Sequence, residues 1–425
     1  MTDAELSELA ARALAASGGG AQARVLHERR VRAGELRERL VVELAVARGG
    51  RVGLARTTDA SETSLATAAA AAASACDGDR HGGFPGWPEP APGRAHEGWD
   101  PAVAQLAPSA LPAGVVEGRA SRIAIAASTG LAVFERRTRV VGADGSAALG
   151  PAALEAARAA WPGAGGTGPE AGGSGPRAGE TGPQAGRTEP TAGALGAGAA
   201  ATVAAGEHHA VLAPAAVAAL LDALGRLVFG GLAVAEGRSP LAGRLGTRVA
   251  AAAINLSESP RFAGTLPRSY DAEGVPVAPV PLIQDGVAHR VVHDTRSGAL
   301  AGAASTGHAG RPGGSPGGPW PRNLVLVGGG AGSESELLAP VEAGVHVSAL
   351  RGLRAVAADS VSAVVEGRLV RGGELGPPLA PLLFTGSPLD VLAAVEAMTM
   401  RQRLAPSGTV CPALRTDALR LAPRA

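Results

Sequence analysis

Between Trp161 and Gly206 the chain changes character. Thr167-Gly168-Pro169-Glu170-Ala171-Gly172 is echoed by 174–179 and again by 181–186, with Gly-Pro-x-Ala-Gly as the repeating unit. Such a stretch has almost no side chain to bury, so it cannot repay the entropy of ordering and reads as a linker. Glycine does not recur every third residue, which excludes a collagen helix. The chain is thereby cut into residues 1–160 and 207–425, and each part must build its own core.

Hydrophobic residues make up 46% of the 425, yet only 2% are aromatic, so both cores must be built from Ala, Val, Leu and Ile. In the first part, residues 4–16 have the spacing of an amphipathic helix, stopped by Gly18-Gly19-Gly20. Leu40–Val46 and Arg51–Ala55 read as two strands joined at Gly49-Gly50. Asp59 or Ser61 caps a helix that runs through the alanines to about Cys76, and a Pro/Gly/Trp-rich loop covers Phe84–Asp100. A second hairpin pairs Arg122–Ala126 with Leu131–Phe134 across Thr129-Gly130. In the second part, a helix over Ala215–Val228 precedes short strands at Leu282–Val287, Leu324–Val327 and Ala363–Val370. The expected fold class is α+β: an N-terminal mixed α/β domain, then a mainly antiparallel β domain.

The 39 basic residues are all arginine, 38 acidic residues oppose them, and the net charge is +1. No global field is available to hold nucleic acid, and aromatic platforms for bases are nearly absent. Cys76 and Cys411 stand far apart and form no CxxC pair, which fits a reducing cytoplasm. The acidic start Met1–Glu5 is no signal region, and no apolar run is long enough for a bilayer. A soluble cytoplasmic protein with no nucleic-acid or membrane partner is expected.

Catalytic patterns are scarce. His289 and His293 have the i, i+4 spacing that places two zinc ligands on one helix face. The run is Val-rich and follows Asp285-Gly286, however, so a strand is expected, with the two rings roughly 13 Å apart. The glutamate of His-Glu-x-x-His is also missing. His208-His209 point opposite ways on a strand. No Gly-x-Ser-x-Gly elbow occurs. Gly328–Gly332 lacks the Gly-Lys-Ser/Thr ending of a phosphate loop, and Ser333-Glu334-Ser335-Glu336 reads as a capping box opening a helix.

Five strings stand in a particular order: Ser269-Tyr270-Asp271-Ala272-Glu273-Gly274-Val275-Pro276, Leu282–Val287, Ala304-Ser305-Thr306-Gly307-His308-Ala309, Pro321-Arg322-Asn323-Leu324-Val325-Leu326 and Phe384-Thr385-Gly386-Ser387-Pro388-Leu389. Together they resemble the TldD/PmbA family, the modulators of DNA gyrase, with weaker agreement at Gly50–Ala55. The resemblance implies a heterodimeric zinc peptidase with a substrate channel. One subunit carries His-Glu-x-x-x-His on a helix and a cysteine as a further ligand, while the PmbA (TldE) subunit lacks them. The corresponding helix here, Ala215–Val228, contains neither histidine nor glutamate. The chain therefore resembles the partner: no catalytic or metal residue and no cofactor of its own, zinc in a TldD-like homologue, and an extended peptide as shared substrate. By the same resemblance Asp271, Glu273, Gly274, Ser305, Thr306, Gly307, His308 and Asn323 are channel candidates, against the alternative that they only form turns. Two other readings stand beside it: a peptidase with an unrecognised site such as His289, His293 and Asp294, and a stand-alone peptide-binding module.

Overall fold

The structure is a computed structural model and describes residues 1–79, 82–91, 98–142, 147–149, 151–160, 200–262, 265, 268–405 and 407–424. Most of the repeat segment, 161–199, lies outside the described residues. Just after it, the Ala201 N–H donates to the Pro378 carbonyl, and the first strand of the second half begins at Gly206.

The N-terminal half is built on one antiparallel sheet carrying two long helices and, in a separate core cluster, the short helices Pro101–Ala104 and Ala153–Ala160. Its strands are β1 (Ala21–Arg32), β2 (Glu35–Arg48), β3 (Arg51–Thr57), β4 (Val115–Ala127), β5 (Ala132–Gly142) and β6 (Ala147–Ala148), in the order β3-β2-β1-β4-β5-β6. Helix α1 (Asp3–Ser17) buries Leu6, Leu9, Ala10 and Ala13, the i, i+3, i+4, i+7 stripe that a core-facing helix needs. Its start is a capping box: Thr2 accepts from the Glu5 N–H, and the Glu5 carboxylate accepts from the Thr2 N–H. Helix α2 (Glu62–Ala75) is capped by Ser61 and buries Leu65, Ala68, Ala69 and Ala72. The alanines let α2 lie almost on the sheet: a Cβ at Gly53 would overlap the Ala72 carbonyl oxygen.

The strands are longer than the apolar runs suggest, and β1 forms from a stretch whose sequence is largely polar. They carry charges that pair across the sheet. Arg24 and Arg56 meet Glu43 at 2.6 and 2.7 Å, and Arg32 meets Glu117 at 2.9 Å. Cross-strand pairs of this kind stabilise a ladder whose sequence looks polar.

The C-terminal half contains β7 (Gly206–Leu212), β8 (Leu256–Glu258), β9 (Val280–Gln284), β10 (Val287–Ala288), β11 (Leu324–Leu326), β12 (Ala343–Ala355), β13 (Val361–Arg371), β14 (Glu374–Pro378), β15 (Leu382–Gly386), β16 (Val395–Met398), β17 (Arg403–Leu404), β18 (Val410–Cys411) and β19 (Leu414–Pro423). Strands β12, β7, β19, β15 and β13 pair in turn, and β13 pairs back to β12, closing the ring. All of these ladders are antiparallel except β7–β12. A second sheet runs β10-β9-β8-β11-β18-β17. The helix Pro214–Leu227 joins the two: Val217, Leu220, Leu221 and Leu224 share one core with Val345 and Val347 of the ring and with Leu256 and Leu324 of the second sheet. The architecture is α+β.

Two expectations change. Leu282–Val287 is not one strand, because Asp285 and Gly286 both have positive φ and turn the chain between β9 and β10. Ahead of the helix Glu334–Leu338, Glu336 accepts from the Gly332 N–H rather than from the capping Ser333, so only half of the expected box forms.

Candidate functional site

Three of the five strings, those at Ser269–Pro276, Ala304–Ala309 and Pro321–Leu326, converge on one buried polar network between the two halves. Its first element is a tight turn. The Asp271 carboxylate accepts from the Glu273 and Val275 N–H groups at 2.8 and 3.0 Å, and with its other oxygen from the Ala309 N–H at 2.8 Å. Gly274 closes the turn at φ 82, and a Cβ there would strike Leu131, so the turn rests on the N-terminal sheet. Glu273 points the other way and accepts from the Thr295 N–H at 3.0 Å and the Thr295 hydroxyl at 2.5 Å.

The second element is the loop carrying Ser305–His308. The Thr306 hydroxyl accepts from the His293 N–H at 2.7 Å and lies 2.9 Å from His308 Nδ1. Ser305 accepts from the Gly307 N–H at 3.2 Å. His308 Nε2 stands 3.4 Å from Glu258, whose other oxygen accepts from the Arg322 and Asn323 N–H groups at 2.7 Å each. All eight candidates are therefore brought together, with Glu258 on β8 as the joint that the sequence did not reveal. Asp271, Glu273, His308 and Asn323 are all buried.

The alternative set is not assembled. His289 is exposed, His293 is half-buried, and the Asp294 carboxylate caps the helix Thr295–Ala301 by accepting from the Ser297 N–H and hydroxyl at 2.8 and 2.7 Å. The stretch between the two histidines is neither helix nor continuous strand; strand β10 ends at Ala288. Among the described residues no three His, Cys, Asp or Glu side chains cluster so as to hold a metal.

Burial governs the electrostatics. It pushes the Glu273 carboxyl well above the usual carboxylate range, and the Asp271 and Asp294 carboxylates add to the shift. Asp271 is also raised, since burial outweighs its three backbone donors. A carboxyl whose folded-state pKa exceeds its unfolded value favours the fold when protonated. Its stability contribution is complete below about pH 4.3 and declines as pH rises from there through the folded value. Glu273→Gln keeps an acceptor for Thr295 and removes the ionisation. The variant is expected to melt above the parent at pH 8 and to show a flatter fall of Tm between pH 4 and pH 8. An unchanged slope would assign the titration elsewhere.

Beside the network lie residues that motif searching passes over. Arg268, Arg322 and Asn323 border a cavity at the end of the helix Pro214–Leu227, together with Asp222, Arg226 and Trp320. Arg322 lies in a recognised string and Arg268 immediately precedes another, but nothing in their spacing marks them as neighbours.

No helix among the described residues is long and apolar enough to cross a membrane. Comparison with known proteins agrees with the geometry. A metalloprotease of Methanothermobacter thermautotrophicus is 27% identical over 176 residues, which is 40% of this chain and only 38% of that protein. The fold matches that of TldE from Thermococcus kodakarensis with a TM-score of 0.70 at 18% identity, covering 99% of this chain and 100% of the other. It also matches a candidate modulator of a DNA gyrase from Thermotoga maritima, with a TM-score of 0.69 at 18% identity, covering 98% and 99%. The model of the PmbA/TldA metallopeptidase C-terminal domain fits residues 205–423. That match takes in more than half of the sequence, and the chain belongs to the TldD/PmbA family of metallopeptidase-related proteins.

Proposed function

We propose that this chain is the non-catalytic subunit of a heterodimeric zinc peptidase, holding extended peptide for a zinc-bearing TldD-like homologue. One observation carries the reading. The helix Pro214–Leu227, where the resemblance puts the zinc ligands, presents Asp222 as its only ligand-type side chain. Asp222 is already engaged: the Thr409 hydroxyl donates to it at 2.5 Å. Cys411 lies against the same helix, but its thiol points at the Pro214 carbonyl at 3.3 Å, and burial pushes its pKa up, which disfavours the thiolate a metal needs. A carboxylate and a protonated thiol do not make a zinc site, and no hydrolytic step is assigned to this chain.

What remains to such a subunit is binding and shape. Strands β3 and β14 stand at sheet edges, where an extended peptide can add as a further strand through main-chain hydrogen bonds that are nearly blind to sequence. The buried network around Asp271, Glu273 and His308 would keep the channel wall in place behind such a peptide. Two buried, unpaired thiols, Cys76 and Cys411, support a place in the cytoplasm.

The test is a peptidase assay on an unstructured substrate, with this chain, a His-Glu-x-x-x-His homologue from the same cell, and both together. Chelator-sensitive cleavage is expected only where the homologue is present, and it should be stronger in the mixture. The two should co-elute as a complex. Tightly bound zinc and chelator-sensitive cleavage in this chain alone would refute the assignment.

A further inference from the structure

A cavity of about 220 Å³ opens beside the helix Pro214–Leu227 and is lined by four arginines, Arg137, Arg226, Arg268 and Arg322, against one acid, Asp222. The Thr409 hydroxyl donates to that acid, and the lining carries four cations against its one carboxylate. Arg268 is only 9% exposed, and its Nε and Nη1 are buried without any hydrogen-bond partner. Arg322 Nε and both polar atoms of the Asn323 side chain are in the same condition. None of the four guanidinium groups makes an ion pair among the described residues. Glu135, Glu258 and Asp271 favour the charge on Arg268, but each also accepts from backbone: Glu135 from the Ser269 N–H, Glu258 from the Arg322 and Asn323 N–H groups, and Asp271 from three amides.

A buried cation without a hydrogen-bonded partner is costly, and one such group, Arg268, set beside the half-buried Arg137 and Arg322 around one opening suits a counter-charge. The pKa values agree in direction. Burial and the neighbouring Arg137 lower that of Arg268 to about 10. Arg322 is driven well below the usual guanidinium value by burial, with Arg268 and Arg137 adding to it. The forks are also set in place before any ligand arrives, because the Trp320 ring lies 4.4 Å from the Arg322 guanidinium carbon and 5.1 Å from that of Arg226. A planar guanidinium matches a planar carboxylate through two parallel hydrogen bonds, and Asn323 adds a neutral donor and acceptor.

We propose that this arginine-lined cavity binds the carboxylate of a peptide and so anchors the chain that the peptidase processes. The proposal deepens the peptide-holding function and rests on it. A carboxylate can come from the peptide's C-terminus or from an Asp or Glu side chain, and the test separates these sources.

Binding is measured by calorimetry on the full chain alone, so failure here leaves the complementation assay standing, and failure there leaves this result intact. The probes are a short unstructured peptide with a free C-terminus, the same peptide amidated and without acidic residues, an amidated version with one internal Glu, and inorganic phosphate. The free acid is expected to bind at least about tenfold more tightly than the acid-free amide, in keeping with loss of a charge-assisted bidentate contact. Recovery by the internal Glu would assign a side-chain source, and no recovery a terminal one. Equal binding of acid and acid-free amide, or binding of phosphate but not of the acid, would overturn the proposal. Arg226→Gln alters an exposed residue and is expected to fold and to weaken the acid about tenfold. Arg268→Met should abolish binding while leaving the Tm of the free chain unchanged or raised, because an unpartnered buried charge is removed. A lowered Tm would give Arg268 a structural role and overturn its place in the site. If Arg268→Met does not fold, Arg226→Gln decides: unchanged affinity there refutes the proposal.

Discussion

Asp271→Ala is expected to cost about 3–5 kcal/mol, because it strands three backbone donors, at about 1–3 kcal/mol for each buried group left unsatisfied. The carboxylate is 3% exposed, so water cannot replace it without opening the turn. Two of its bonds, to Glu273 and Val275, fold the turn; the third, to Ala309, ties the turn to the loop that carries Thr306 and His308. Asp271→Asn separates the two roles. Its amide oxygen can still accept from Glu273 and Val275, but its amide nitrogen then faces the Ala309 N–H, donor against donor. Asn is therefore expected to recover roughly half of the loss, with faster hydrogen exchange confined to the 305–309 loop. Urea unfolding followed separately in each half is the measurement, since a two-part chain need not unfold in one step. An Ala variant within about 1 kcal/mol of the parent would show that the turn holds without its carboxylate.

The local elements were legible where local rules decide them. Helix α1 lies within a residue of the expected 4–16, and of the two expected caps for α2, Asp59 and Ser61, it is Ser61 that opens a helix ending beside Cys76, because cap and apolar stripe are both encoded within a few positions. β1 was not legible, since Arg24, Glu28, Arg29, Arg30 and Arg32 make it look like a solvated segment until Glu43 and Glu117 are placed across from it. Closure of the C-terminal ring could not be read at all: it depends on β7 finding β19, some two hundred positions away. The same distance effect governs the site. The Asp271 turn and the Thr306 loop were recognisable as strings because each is contiguous. The arginine cavity is assembled from Arg137, Arg226, Arg268 and Arg322, four separate segments with no common spacing.

Asp79→Asn is expected to loosen the junction between the two halves by about 3–5 kcal/mol, the loss typical when one partner of a buried ion pair is neutralised. Arg296 donates to Asp79 through both terminal nitrogens, at 3.2 and 2.5 Å, and the two side chains are 6% and 8% exposed. The pair joins the end of the α2 region to the helix Thr295–Ala301, and that helix in turn holds Glu273 through Thr295. Asp79 also accepts from the Val52 N–H at 2.8 Å, so a substitution to Ala would remove this bond along with the ion pair; Asn retains an acceptor for Val52 while neutralising the charge. The neutral Asn leaves the Arg296 guanidinium in a low-dielectric junction with Arg311 close enough to feel it. Removing the second charge as well, in Asp79→Asn with Arg296→Met, should restore most of the stability, because an apolar side chain of similar length needs no partner there. The double-mutant cycle then has a coupling energy of opposite sign to the single losses. Additive losses would mean that the pair is held in place by the surrounding packing and contributes little by its charge. A single variant within about 1 kcal/mol of the parent would have the same meaning and leave the junction to Gly274, Leu131 and their apolar neighbours.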